Sequence, residues 1–192
     1  MNGNEYSAAR RKIHRRSIVC TVFARDDGLI DIEGVLVDTK PFKVALPERG
    51  EIKAEEPIHE MVLRITIDRC LLIHDVEART VSSPYSVCGA INESYRQLIG
   101  LRIGSGFTGV VKRLFRTTLG CSHITELLPS IATTAYQAIW GEGIPNSADA
   151  TIEADRTEEM PSYLGGCHAL RIDGEFVKLH FPRWHRALAE QS

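Results

Sequence analysis

The chain has 192 residues, 43% hydrophobic and 25% charged, and its 23 basic and 25 acidic residues give a net charge of -2. This composition predicts one domain with a substantial core and excludes collagen-like and broadly disordered classes. General nucleic-acid binders are usually basic, so the charge balance argues against nucleic acid as a partner. No apolar run approaches the roughly 18 residues that cross a membrane, and we expect no membrane association.

The first 16 residues are polar and carry five of the basic side chains. No apolar run follows them, so we expect a solvated basic arm and no secretory signal. The five cysteines form no CxxC pair, and their odd number predicts reduced thiols in a cytoplasmic protein.

Residues 17–80 alternate apolar and polar side chains in two hairpins, the first with a turn at Asp26-Asp-Gly28. We expect an antiparallel sheet here, with Asp31, Glu33 and Asp38 on one polar side of the first hairpin. Residues 47–57 are predicted to be a surface connection.

Three apolar stripes at helical spacing follow between residues 89 and 140 and predict about three helices. Residues 141–161 are acidic and aperiodic, as is typical of a mobile loop or lid. Residues 169–181 are predicted to form a short strand pair that turns at Asp173-Gly174. Strands first and helices next favour an α+β fold, with a single domain over residues 17–192.

Four thiol or imidazole side chains lie at the edges of these elements: His59, Cys88, Cys121 and His123. Hairpin ends and helix starts can meet at one rim of a sheet packed on helices, and these side chains are ligands that zinc or iron would take. Without a metal, His59 or His123 could act as acid or base. The alternative, buried thiols and ordinary surface imidazoles, stays open.

A second set of polar residues could serve the same pocket. We expect Asp38 to join His59, Cys121 and His123 as a catalytic group. Substrate contacts are predicted for Asp31, Glu33, Lys40, Arg64 and Arg102. The alternative interpretation, a solvated sheet face and local turns, stays open for these residues. The glycine-rich stretch around Arg102 follows a helix, which does not suit a dinucleotide site.

Several segments resemble a bacterial family of uncharacterised proteins, the domain of unknown function DUF2889. The resemblance covers residues 14–140 and rests on Asp26-Asp-Gly-Leu-Ile-Asp-Ile-Glu-Gly34, Glu56-Pro-Ile-His59 and Gly120-Cys-Ser-His-Ile-Thr-Glu-Leu-Leu128, among others. It implies no particular reaction, although similar members occur in bacteria that degrade aromatic compounds or handle acyl thioesters.

The order of elements also resembles that of iron–sulfur cluster scaffold proteins. That resemblance implies a ligand set in which His59 stands at the position of an acidic ligand, Cys88 at that of the middle cysteine and Cys121 at that of the late cysteine.

The function expected from these features is a small-molecule enzyme, a lyase or hydrolase acting on an aromatic or acyl compound, with zinc or iron as the candidate metal. A homodimer is expected if a sheet edge is open. Two alternatives remain: a non-catalytic metal or iron–sulfur carrier, and a structural or interaction domain.

Overall fold

The structure is a computed structural model that describes residues 8–141, 160–161 and 163–186. The chain separates into two compact units, residues 1–139 and 140–192. Most of the predicted lid at 141–161 lies outside the described residues. The lid and the single domain over 17–192 therefore stay predictions.

A four-stranded antiparallel sheet forms the first unit's framework, as the alternating pattern predicts. It contains β1 (Arg15–Ala24), β2 (Ile30–Thr39), β5 (His59–Ile67) and β6 (Ile73–Ser82). These strands lie side by side in the order β1-β2-β5-β6. The first turn contains Gly28 at φ +82°, a conformation that glycine adopts without steric cost.

A small second sheet lies in the connection between β2 and β5. It pairs β3 (Val44–Leu46) with β4 (Gly50–Ile52) in antiparallel fashion. Ile52 is buried, so part of the connection predicted at the surface contributes to the core.

Three helical segments follow the sheet and cover one of its faces. They are a 3-10 segment (Ser86–Leu98), α1 (Phe107–Leu114) and α2 (Ser122–Gly141), with a short 3-10 turn (Thr117–Leu119) before α2. Their apolar stripes share one core cluster with the buried side of the sheet. The α+β fold, the antiparallel sheet and the helical region are thus confirmed.

Strand β2 shows which of its residues face the helices. Its even-numbered positions from Ile30 to Asp38 are buried, and its odd-numbered positions are partly exposed. A Cβ on Gly34 would lie 2.9 Å from Ile131 of α2, so the missing side chain lets helix and sheet approach closely. The interpretation that Asp31, Glu33 and Asp38 share one side is therefore wrong: Asp38 lies on the buried face, because alternate strand residues point to opposite faces.

The second unit contains α3 (Glu175–His180) and a 3-10 turn (Pro182–Trp184). The prediction of a strand pair at 169–181 is wrong, since no strand occurs between residues 163 and 186. Gly174 caps the helix, and Val177 and Phe181, four residues apart, pack with Leu164. In so short a segment, the spacing of the apolar residues does not separate a helix from a strand.

The N-terminal arm is shorter than predicted, because Arg15 and Arg16 belong to β1. None of the described helices combines the length and the apolar character that crossing a bilayer requires.

Candidate metal centre

Three neighbouring strands bring a row of polar side chains together on the helix-facing side of the sheet. The register pairs Arg16 of β1 with Asp38 of β2, and Asp38 with His59 of β5. Directly opposite residues on antiparallel strands share a face and lie within contact distance. The row is therefore a product of strand register.

Helix α2 adds His123 to this row from its first turn. The fully buried Tyr95 fixes the start of that helix: its hydroxyl accepts the Cys121 N–H at 2.8 Å and donates to the Cys121 carbonyl at 2.9 Å. The same oxygen lies 2.8 Å from Oγ1 of Thr125. These contacts hold both sides of the turn that presents His123.

Asp38 is the centre of the site and is only 1% exposed. Arg16 donates from Nε to Oδ1 and from Nη2 to Oδ2, both at 2.8 Å. His14 donates from Nε2 to Oδ1 at 3.1 Å. An ionised carboxylate has about four acceptor positions, two on each oxygen. Oδ1 uses both of its positions, and Oδ2 keeps one.

Two imidazoles converge on the remaining position of Oδ2. His59 Nδ1 lies 3.3 Å and His123 Nε2 lies 3.4 Å from this oxygen. The two rings stack with their centroids 3.8 Å apart. Among the described residues, Asp38, His59 and His123 form the group whose potential ligand atoms all lie within 4.8 Å of one another.

These separations fit a metal ion. Ligand atoms about 2.0–2.1 Å from a tetrahedral zinc ion lie about 3.3 Å from each other. Two histidines and one carboxylate also form the ligand set of many non-haem iron sites. The arrangement can hold a divalent transition metal and leave further coordination positions for water or substrate.

The electrostatics keep these groups in the protonation states that metal binding requires. Burial alone would raise the pKa of Asp38, but the hydrogen bonds and charge of Arg16 outweigh it and lower that pKa to about 2. Burial lowers the pKa of His59, and the neighbouring His123 lowers it further. Burial also lowers the pKa of His123, followed by the charge of Arg16. The carboxylate is therefore ionised and both imidazoles are neutral at pH 7.

The cysteines predicted as ligands do not join this group. Cys121 Sγ lies 3.9 Å from Nδ1 of His123, the ring nitrogen that does not approach Asp38. Cys88 lies in the 3-10 segment and is not part of the ligand group. The group therefore contains one carboxylate and neither of the two thiols expected from the sequence.

Four of the five residues predicted to contact substrate lie apart from Asp38. Asp31, Glu33 and Arg64 occupy the opposite face of the sheet, where Arg64 donates to Asp75 and Glu77 at 3.0 Å. Arg102 bonds the Cys70 carbonyl beside the far end of β5, roughly 25 Å along the strand from His59. Lys40 lies just past β2, with its ammonium 5.6 Å from the Phe42 ring centre.

Three residues of the site carried no assigned role in the sequence predictions: His14, Arg16 and Glu126. Glu126 accepts from Nη1 of Arg16 at 2.7 Å. His14 and Arg16 lie in the segment predicted to be a solvated arm. The alternating pattern of β1 continues back to Arg16, and this pattern indicates that Arg16 belongs to the strand.

A family model described as "Protein of unknown function (DUF2889)" matches residues 14–137, nearly two thirds of the chain. The chain belongs to the DUF2889 family. The matched range contains every residue of the site, from His14 to Glu126. No curated protein and no solved structure shows significant similarity to the chain. The resemblance to iron–sulfur scaffolds is not supported, since neither cysteine is in the ligand group and no scaffold structure matches.

Proposed function

We propose that this DUF2889 protein is a metal-dependent small-molecule enzyme, a hydrolase or lyase, whose metal is held by Asp38 Oδ2, His59 Nδ1 and His123 Nε2. One observation carries the proposal: two neutral imidazole nitrogens share a single remaining acceptor position on a buried carboxylate oxygen. A hydrogen from only one ring can occupy that position, whereas one metal ion satisfies all three atoms.

The chemistry of the donor set supports zinc or ferrous iron over magnesium or calcium, because imidazoles prefer the softer divalent ions. A metal bound here would act as a Lewis acid that polarises a carbonyl group or activates water. Arg16 keeps Asp38 ionised and fixes its orientation, a supporting role that commonly tunes metal affinity. A carbonyl-bearing acyl or aromatic compound is the substrate class that suits this chemistry.

We further propose a cytoplasmic location and a homodimer. All five cysteines are free, which suits a reducing compartment. Strand β1 is an edge of the sheet and offers unpaired backbone groups to a second copy. Size-exclusion chromatography with light scattering would measure the mass directly: about twice that of one chain supports the dimer.

Metal analysis of the purified full chain tests the proposed centre. After incubation with zinc or ferrous iron and removal of excess metal, we expect one ion per chain. His59→Gln and His123→Gln should each lower the metal content severalfold. His74→Gln is the matched control, because His74, near the start of β6, pairs with Asp68 at 3.0 Å outside the site.

Turnover separates an enzyme from a carrier. We expect the loaded protein to hydrolyse 4-nitrophenyl acetate, an activated ester used as a probe, and His123→Gln to abolish this activity. Stoichiometric metal without turnover of this or other activated esters and thioesters would support the carrier instead. A protein that retains no metal would overturn both.

A further inference from the structure

One edge of the Arg16 guanidinium does not contact the proposed metal ligands. Its Nε and Nη2 are fixed on Asp38, whereas Nη1 contacts Glu126 Oε2 at 2.7 Å. The Arg16 side chain is 34% exposed and that of Glu126 is 52% exposed. The inner edge of the guanidinium is thus held by a buried carboxylate, and the outer edge lies at the surface.

The outer contact is easy to exchange. Glu126 lies on α2, three residues after His123, and its charge acts on that imidazole. Water screens an exposed ion pair and competes with it, so such pairs contribute little to stability. A carboxylate from solution can take the place of Glu126 on Nη1 at small cost.

Charge favours such an exchange once a metal is bound. A divalent cation and Arg16 together outweigh the negative charges of Asp38 and Glu126, because imidazoles that bind a metal ion are neutral. Displacing Glu126 makes the exposed edge still more positive, and an anionic ligand restores the balance. Arginine also binds carboxylates with directional, charge-assisted hydrogen bonds.

We propose that Nη1 of Arg16 is the recognition point for a small organic carboxylate, which replaces Glu126 beside the metal centre. The inference rests on the proposed function for its catalytic meaning and names the substrate class: a carbonyl compound that also carries a carboxylate. The anchoring of Arg16 by Asp38 orients the guanidinium before the ligand arrives, which lowers the entropic cost of binding.

The chain contains a matched arginine without the metal-binding group. Arg25 donates from Nε and Nη2 to Asp27, at 3.1 and 2.6 Å, and from Nη1 to Asp31 at 3.3 Å. Its side chain is 37% exposed, close to the value for Arg16. Each of the two arginines therefore binds two carboxylates through the same three nitrogen atoms. Arg25 serves as the internal control.

Benzoate is the probe, with benzamide as a neutral analogue of the same shape. The Nε–H resonances of Arg16 and Arg25, assigned with R16K and R25K, are followed by NMR during titration of the full chain, metal-free and with zinc. We expect saturable shifts at Arg16 with benzoate alone, and little change at Arg25. Glu126→Gln removes the competing carboxylate and should tighten benzoate binding roughly two- to fivefold in the metal-free protein.

Zinc should tighten binding further, and the outcomes separate the two proposals. Stoichiometric zinc with an unresponsive Arg16 would leave the metal centre standing and overturn the carboxylate site. An Arg16 response strengthened by Glu126→Gln, in a protein that binds no zinc, would support the site and overturn the metal centre. Equal responses at Arg16 and Arg25, or no effect of Glu126→Gln, would also overturn the inference.

Discussion

Two arginines in this chain make the same set of contacts in different surroundings. Arg16 clasps Asp38 with Nε and Nη2 and reaches Glu126 with Nη1. Arg25 clasps Asp27 and reaches Asp31 with the corresponding atoms. We call these the Arg16 fork and the Arg25 fork.

The forks differ in what surrounds the aspartate. Asp27 lies in an exposed turn, where its other contact is the Leu29 N–H. Asp38 is buried, and three imidazoles surround it at 3.1 to 3.4 Å. An arginine–carboxylate pair alone therefore does not make a metal site. Burial of the carboxylate and the converging imidazoles are what make the Arg16 fork suitable for binding a metal.

The largest difference should appear when each arginine is removed. Arg16→Met leaves the Asp38 carboxylate buried without its cation, and we expect a loss of about 2–3 kcal/mol in unfolding free energy, somewhat less than for a fully buried pair. Arg25→Met should change stability little, because water replaces the lost partner. Urea unfolding at pH 7 measures both variants. Equal losses would show that burial does not distinguish the forks.

Acid should destabilise the protein by protonating Asp38 in the Arg16 fork. The folded-state pKa of Asp38 is about 2, below the 3.8 expected in the unfolded chain. Its contribution is therefore fully present above pH 3.8 and is lost as the pH falls towards 2. The loss in unfolding free energy is about 2.5 kcal/mol at most. Urea unfolding across this range should show a shallower acid decline in Asp38→Asn than in the wild type. Identical declines would contradict the assigned pKa.

Removal of the Tyr95 hydroxyl should have a smaller effect on stability. Tyr95→Phe leaves the ring in the core but deprives the Cys121 N–H of its acceptor, which we expect to cost about 1 kcal/mol. Because the turn that presents His123 loosens, zinc affinity should fall about tenfold. Tyr136→Phe, more than three turns further along α2, is the control. Unchanged zinc affinity in Tyr95→Phe would refute the positioning role.

The smallest expected effect on stability comes from protonation of His59 and His123. Both pKa values are lowered below 6.5, chiefly by burial, and the charge of Asp38 partly offsets the shift. In the metal-free protein, the contribution of the two histidines to stability should be constant well above pH 6.5, decline as the pH falls through 6.5, and level off below the folded-state values. The double variant His59→Gln, His123→Gln should remove this decline, whereas His74→Gln should retain it. A decline that persists in the double variant would point to other groups.

The sequence predicts the sheet and the helices well because their patterns are local. Period-two alternation locates β1, β2, β5 and β6, and apolar stripes locate the helical region. The face of Asp38 was also readable: Asp31 and Asp38 are seven residues apart, so alternation places them on opposite faces. His59 and His123 were predicted as site residues from their places at the ends of elements.

The partners of Asp38 could not be predicted in the same way. Its pairing with Arg16 and His59 depends on strand register, which the turns and the inserted β3–β4 hairpin set together. The thiols of Cys88 and Cys121 suggested a metal through their chemistry alone, but side-chain direction keeps Cys121 on the far side of the His123 ring. The apolar pattern of residues 169–181 is too short to distinguish a strand from a helix.

X-ray absorption spectroscopy of the zinc-loaded full chain identifies the atoms that bind the metal. We expect a coordination shell of nitrogen and oxygen atoms at about 2.0–2.1 Å, with scattering from two imidazoles and no sulfur. Asp38→Asn should lose this signal, and Asp27→Asn should keep it. A sulfur shell at about 2.3 Å, or equal metal binding in both variants, would contradict the Asp38–His59–His123 centre.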